Sequence, residues 1–182
     1  MYTNAPHWQH WRHFLRSELP SKLRPWLLAP GSLTRHLIEA SNDAFHVELL
    51  AQTWQRPTRS EAALLGLQPQ ALALVREVVL HGHGIPWVYG RSIFPEYTLR
   101  GELRHLRKLR NSSLGSMLFR YPHLRRAPFE LARVDGHSLP HKLACDARLW
   151  GRRSRFQLGE RALIVSETFL PAFASDYTPP RF

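Results

Sequence analysis

The sequence predicts an α+β fold: one domain over residues 1–182, built on an antiparallel sheet of about six strands, with helices packed on the sheet and short helical flaps over a buried site. Two observations predict this class. Six segments have the alternating or β-rich pattern of strands, and several are joined by short glycine-containing connections, as in hairpins. Helical spacing occurs between only some of the strand pairs, which is typical of α+β domains.

The chain before the first strand is divided by prolines into short pieces, and brief helical turns are expected around its aromatic residues. Ser32 predicts the start of a helix that continues to Ile38. The three histidines of this segment are spaced three apart, but no carboxylate lies near them in sequence, so a metal site is not favoured. They are His7, His10 and His13.

The six strands are predicted at residues 44–51, 72–80, 85–94, 129–134, 148–158 and 161–169. The second and third form a hairpin across residues 82–84, and the last two form a hairpin across residues 159–160. Leucines at helical spacing predict a helix with a basic outer face over residues 96–109. Shorter helices are expected at 61–65 and 114–119, and the tail after Pro171 is expected to hang loose or to pack late.

Composition and charge limit the function classes. The chain has 43% hydrophobic and 11% aromatic residues, enough for a packed core, and its one cysteine, Cys145, excludes an internal disulfide framework. No apolar run resembles a signal peptide or a membrane span, so a soluble, cytoplasmic protein is expected. The net charge of +11 leaves three partner classes: nucleic acid, an anionic membrane surface, or a small polyanionic substrate.

Four charged residues interrupt apolar strand faces. Arg76 alternates in register with aliphatic residues, Glu167 shares a face with Phe169, and Arg91 and Arg152 are similarly placed among aromatic residues. Burial of such groups is costly unless they are paired or bound. Two interpretations stay open: Arg76 and Glu167 belong to core salt bridges, or they line a closed pocket for a small cyclic hydroxy acid, whose carboxylate would be held by guanidinium groups.

Other catalytic motifs are missing from the sequence. It contains no phosphate loop, dinucleotide fingerprint or HExxH motif, and no serine or cysteine has both a base and an orienting acid in evident register. We therefore expect a site without a metal or a cofactor.

Several motifs together resemble the bacterial chorismate lyase family. They include the hairpin Gly-Ile-Pro-Trp-Val-Tyr-Gly-Arg at residues 84–91, the run Leu-Trp-Gly-Arg-Arg-Ser-Arg at 149–155 and the segment Glu-Thr-Phe-Leu-Pro at 167–171. The resemblance covers residues 26–171, so residues 1–25 and 172–182 are expected to be peripheral. It implies removal of pyruvate from chorismate to give 4-hydroxybenzoate, the first committed step of ubiquinone synthesis, by a cofactor-free monomer.

The resemblance also implies roles for individual residues. Arg76 and Glu167 match residues that hold the bound product, and Leu33 and Leu114 match positions that contact it. From these matches we predict that Arg76 grips the ring carboxylate and that Glu167 hydrogen-bonds the hydroxyl group. Arg91, together with Arg152, is expected to receive the pyruvyl carboxylate and to polarise the leaving oxygen. Supporting roles are expected for three further residues: Gly90, Gly115 and Arg152.

Two alternatives remain beside the lyase interpretation. The ligand-binding domains of GntR-type regulators share the hairpin, so a non-catalytic sensor of aromatic acids is one alternative; we expect about thirty irregular residues before the fold to be too few for a winged helix. A nucleic-acid-binding protein is the other, and it is not favoured because no aromatic-basic stacking motif stands out. The positive charge is also compatible with steering of a dianionic substrate or with proximity to an anionic membrane.

Overall fold

Eight strands form one antiparallel sheet in the computed structural model, which describes residues 5–173. Their order across the sheet is β1-β6-β7-β8-β4-β3-β2, and β5 pairs with the far end of β7. The strands are β1 (Gln9–His10), β2 (Phe45–Gln55), β3 (Ala73–Gly82), β4 (Ile85–Pro95), β5 (Arg125–Arg126), β6 (Glu130–Asp135), β7 (Arg148–Leu158) and β8 (Arg161–Phe169).

The helices are short. The α-helices are α1 (Arg24–Leu27), α2 (Leu33–Ala40), α3 (Arg59–Leu65) and α4 (Leu114–Leu118). The 3₁₀ helices are Trp11–His13, Glu96–Leu99, Gly101–Lys108, Gly136–Ser138 and His141–Leu143. None of the helices in the described part of the chain is long and apolar enough to cross a membrane.

The predicted α+β class and the six longer strands are confirmed. The β3–β4 connection is a two-residue turn, in which His83 (φ 54°) and Gly84 (φ 75°) both adopt left-handed conformations, as a tight hairpin requires. The structure adds β1 and β5, which contain two residues each. Segments this short cannot show an alternating pattern.

The predicted continuous helix over residues 96–109 is wrong. The segment forms two 3₁₀ helices, Glu96–Leu99 and Gly101–Lys108, with Arg100 in extended conformation between them. Gly101 has a φ of +60°, which interrupts a right-handed helix. The leucines still pack into the core, because Leu99, Leu103 and Leu106 are all buried.

The N-terminal segment also differs from the expectation of helical turns alone. Gln9–His10 pairs with β6, and a 3₁₀ helix follows at Trp11–His13, so the three histidines do not share one helix face. At the other end, Phe173 is buried against Trp26, Trp87 and Phe169. The remainder of the predicted loose tail lies outside the described residues.

The sheet separates two sets of side chains. On β3, Arg76 and Val78 face α1, α2 and α4, and we call this side the cavity face. Val75 on the opposite face packs with α3 through Leu65. Because neighbours in a strand point to opposite faces, Glu77 lies on the α3 side.

Candidate active site

A small cavity lies between the cavity face and the N-terminal ends of α2 and α4. Its free volume of about 40 Å³ has room for only a few water molecules. It is lined by Gly31, Ser32, Leu33, Thr34, Val47, Arg76, Val78, Leu80, Gly90, Ser92, Ser113, Leu114, Gly115, Leu118, Phe119, Arg126, Phe156, Val165 and Glu167. The wall is mostly apolar, and its few charged side chains are therefore poorly screened by solvent.

The two helices begin in the same way at the cavity wall. Ser32 caps α2 by accepting a hydrogen bond from the backbone N–H of residue 35, and Ser113 caps α4 by accepting one from the backbone N–H of residue 116. Leu33 and Leu114 are the first residues of their helices, so their amide N–H groups have no acceptor within the helix. Ser32 was predicted as a cap, and this is confirmed.

Close contact between α2 and α4 forms one wall of the cavity. Ser113 Oγ donates a hydrogen bond of 3.0 Å to Thr34 Oγ1, which links the two helix starts. Gly115 makes the approach possible, because a Cβ atom there would lie 2.9 Å from both Ser32 Oγ and Thr34 Oγ1. Gly90 has a similar role in the floor, where a Cβ would lie 2.9 Å from Val78 Cγ2.

Arg76 is buried without a carboxylate partner within residues 5–173. It is 2% exposed, and its Nη2 donates hydrogen bonds of 2.8 Å to the carbonyl oxygens of Arg110 and Ser112. The Nε atom is buried and has no hydrogen-bond partner. Burial lowers the pKa of Arg76 to about 10, and the side chain is therefore a charged group that lacks a counterion.

Glu167 has a partner of its own. Its Oε2 accepts a hydrogen bond of 2.6 Å from Nε of Arg152, which is completely buried. The Nη1 of Arg152 donates to the carbonyl oxygens of Trp26 (2.8 Å) and Ala29 (3.1 Å), which fixes the guanidinium. The salt-bridge interpretation therefore describes Glu167, whereas Arg76 fits the pocket interpretation.

Arg91 lies on the opposite face of the sheet, so the structure does not bring it to the cavity. Its Nε and Nη2 donate to the two carboxylate oxygens of Glu61 (2.8 and 3.2 Å), and Nη1 donates to Glu77 Oε1 (3.0 Å). Burial lowers the pKa of Arg91, but the contacts with Glu61 outweigh it and raise that pKa overall. The sequence argument failed because Arg76 is paired with Ser92, and Arg91 therefore alternates to the far side.

The groups around Arg91 border a second cavity of about 340 Å³ on that far side, together with Trp8 and Tyr89. Its charged side chains are already paired with each other, since Glu77 also accepts a hydrogen bond from Tyr89. We therefore assign Arg91 a structural role in joining α3 to the sheet.

Sequence reasoning missed one charged residue of the cavity, Arg126. It lies in the two-residue strand β5, where no alternating pattern exists to distinguish it from its exposed neighbour Arg125. The structure thus brings together Leu33, Arg76, Leu114 and Glu167, with Gly90 and Gly115 in the wall and Arg152 behind Glu167. It adds Arg126 and leaves out Arg91.

Comparison with known proteins identifies relatives over most of the chain. A family model described as "Chorismate lyase" matches residues 3–177. A protein of Pseudomonas fluorescens named "Probable chorismate pyruvate-lyase" is 44% identical over 147 residues, which are 81% of this chain and 78% of the relative. A protein of Aromatoleum aromaticum with the same name is 41% identical over 175 residues, 91% of this chain and 94% of the relative.

The fold is also found in solved structures of low sequence identity. A GntR-family transcriptional regulator from Bacillus cereus is similar with a TM-score of 0.53 at 13% identity, over 76% of this chain and 98% of that chain. This likeness concerns the fold alone.

Proposed function

The chain belongs to the chorismate lyase family, and on that premise we propose that it converts chorismate into 4-hydroxybenzoate and pyruvate without a cofactor. The names of its relatives support chorismate pyruvate-lyase activity. One observation carries the assignment to this cavity: the buried guanidinium of Arg76 has no counterion in the described chain and lines the same space as Glu167.

The reaction needs positioning more than it needs a reactive side chain. Chorismate carries a ring carboxylate, a hydroxyl group at C4 and an enolpyruvyl ether at C3. The C3–O bond breaks, the hydrogen on C4 moves to the methylene carbon of the enolpyruvyl group, and the ether oxygen becomes the ketone of pyruvate. The ring becomes aromatic, which drives the reaction. The task of the protein is to hold a compact conformer and to stabilise charge on the ether oxygen.

We assign the roles as follows. Arg76, with the amide N–H groups of Leu33 and Leu114, binds the ring carboxylate, since all three line one cavity and have free N–H groups. Glu167 accepts a hydrogen bond from the C4 hydroxyl group. Arg152 orients Glu167 through the 2.6 Å contact.

Entry of the substrate requires the cavity to open, because its free volume holds only a few water molecules. The short helices α2 and α4 are the flaps in this proposal. They are joined at the cavity by the hydrogen bond from Ser113 to Thr34 and by the contact of Gly115 with Ser32. Separation of these two contacts would admit chorismate and release product.

The proposal includes the setting of the reaction. We infer a cytoplasmic monomer whose product enters ubiquinone synthesis. The net charge of +11 supports attraction of the dianionic substrate and proximity to an anionic membrane.

The test is a cofactor-free assay. Chorismate is added to purified, chelator-treated protein, and 4-hydroxybenzoate and pyruvate are measured together, with protein-free buffer as the control for spontaneous decay. Equimolar formation of both supports the proposal. Saturable binding of 4-hydroxybenzoate without turnover would instead indicate a sensor, and the absence of both binding and turnover would reject the assigned site.

A further inference from the structure

Arg126 is a second cation in the cavity wall, and it is held in place by neutral groups. Its Nε donates to Ser154 Oγ at 3.0 Å, and its Nη1 donates to the carbonyl oxygen of Gly31 at 2.7 Å. Its guanidinium carbon lies 4.0 Å from the ring centre of Phe129 and 5.2 Å from that of Phe156. No carboxylate in residues 5–173 forms an ion pair with it, and both of these hydrogen bonds go to neutral oxygens.

Arg152 contributes a further unused N–H group beside Arg126. Its guanidinium carbon lies 4.9 Å from the ring centre of Phe129, so the two arginines share one aromatic neighbour. The Nη2 of Arg152 is buried and lacks a hydrogen-bond partner in the described chain. A buried donor of this kind is costly to leave unpaired, and an acceptor from a ligand would remove that cost.

The charges around the cavity do not balance. Arg76, Arg126 and Arg152 supply three positive charges, and Glu167 supplies one negative charge, which leaves an excess of two positive charges. Burial, reinforced by the charge of Arg152, lowers the pKa of Arg126 to about 9, and the charge of Glu167 only partly offsets this. Closely packed cations need anions from elsewhere, and a dicarboxylate supplies two.

We propose that Arg126, together with the free Nη2 of Arg152, forms a second anion subsite that holds the enolpyruvyl carboxylate of chorismate while Arg76 holds the ring carboxylate. This inference rests on the proposed function. It keeps Arg152 in the role first predicted for it and puts Arg126 in the place of Arg91. The substrate then uses both subsites, whereas 4-hydroxybenzoate, with one carboxylate, uses only that of Arg76. Pyruvate leaves from the second subsite and carries its carboxylate with it.

The main test compares Arg126→Gln with the wild type and with Arg125→Gln. The control removes the same charge from the exposed neighbour on the same strand. For Arg126→Gln we expect kcat/KM for chorismate to fall by about 100-fold, the scale for loss of one charged donor. The Kd of 4-hydroxybenzoate should change by less than about threefold, a small free-energy difference. Arg125→Gln should leave both quantities near their wild-type values.

A binding measurement separates this proposal from the proposed function. The probe is 3-(1-carboxyethoxy)-4-hydroxybenzoate, a stable dicarboxylate that keeps the ring carboxylate, the hydroxyl group and an ether carboxylate. We expect it to bind the wild type, to bind Arg126→Gln at least tenfold more weakly, and to bind Arg126→Lys with intermediate affinity. This preference needs no turnover, so it would stand even if the wild type failed to convert chorismate.

Two outcomes would overturn the subsite. Equal weakening of 4-hydroxybenzoate and of the dicarboxylate by Arg126→Gln would mean that Arg126 acts only by fixing the loop at Gly31. Unchanged affinity for the dicarboxylate in an Arg126→Gln protein with a normal melting curve would mean that the second carboxylate is held elsewhere.

Discussion

The buried and half-buried arginines of the sheet differ in the groups that neutralise them. Arg91, Arg152 and Arg153 each contact a glutamate at 3.0 Å or less, whereas Arg76 and Arg126 donate to carbonyl and hydroxyl oxygens in the described chain. Arg76 and Arg126 therefore keep their charge for a ligand, Arg91 and Arg153 are neutralised by their glutamates, and Arg152 is paired with Glu167 but keeps one unused N–H group. This distinction separates the predicted contributions to catalysis from those to folding.

Replacement of Arg76 tests whether an arginine without a carboxylate partner binds the ligand. Arg76→Ala should raise the barrier of the proposed reaction by about 2–4 kcal/mol, because a charged contact to substrate is lost in a site that excludes water. The measurement is kcat/KM for chorismate at fixed salt. A wild-type value in the purified, folded variant would contradict the role of Arg76.

Replacement of Arg91 tests whether an arginine paired with glutamates contributes to stability. Arg91→Lys keeps the charge but loses the two-point contact with Glu61, so the free energy of unfolding should fall by about 1–3 kcal/mol. Turnover should stay close to that of the wild type, since the residue lies outside the cavity. Urea unfolding and the chorismate assay measure the two effects. A large loss of turnover with normal stability would mean that Arg91 acts in the reaction and not only in the structure.

The sequence was sufficient to predict which way single residues point, but not which residues meet across strands. Alternation on β3 and β8 correctly directed Arg76 and Glu167 to one face. It could not reveal that β4 pairs Ser92 with Arg76, because strand register depends on the assembled sheet. Arg126 was not predictable from alternation, since β5 is too short to show a pattern.

At the scale of elements, the cavity depends on the two short helices α2 and α4 and on Gly115, which has no side chain at the point where they meet. Ser32 predicted where α2 begins, and the short helix expected at 114–119 matches α4. The helix α2 ends two residues beyond the predicted Ile38, and α4 ends one residue before its predicted end. Their mutual approach was not predictable, because it results from tertiary packing through Gly115. The leucine spacing likewise predicted one helix over residues 96–109, and the left-handed conformation of Gly101 divides that segment in two.

Gly115→Ala tests the contact between the flaps. The added methyl group would displace the hydroxyl groups of Ser32 and Thr34, which would disturb a helix cap and the hydrogen bond to Ser113. Affinity for 4-hydroxybenzoate should fall by about tenfold, equivalent to about 1.4 kcal/mol, since loss of a cap costs about 1 kcal/mol. Isothermal titration measures the affinity.

The matched control is Ser112→Ala, which changes an exposed position just before the same helix and adds no atom next to α2. Its affinity should be close to that of the wild type. If Gly115→Ala bound product as tightly as the control, the affinity for product would not depend on the close approach of α2 and α4.

At the scale of the whole molecule, the sheet divides ligand chemistry from structural ion pairs. One face holds the small cavity with its excess of positive charge, and the other holds the Arg91 network with Glu61 and Glu77. A regulator of 13% identity has a similar fold, so the strand arrangement alone does not decide between catalysis and sensing.

The small free volume of the cavity has an isotopic consequence. In a space with so little water, and with Glu167 already bound to Arg152, the proposed direct transfer of hydrogen from C4 to the methylene carbon has little competition from solvent. In heavy water, the methyl group of newly formed pyruvate should therefore carry the hydrogen that chorismate held at C4, and no deuterium. Immediate reduction to lactate followed by mass spectrometry would reveal it, and one deuterium per methyl group would show that the hydrogen passes through a side chain that exchanges with solvent.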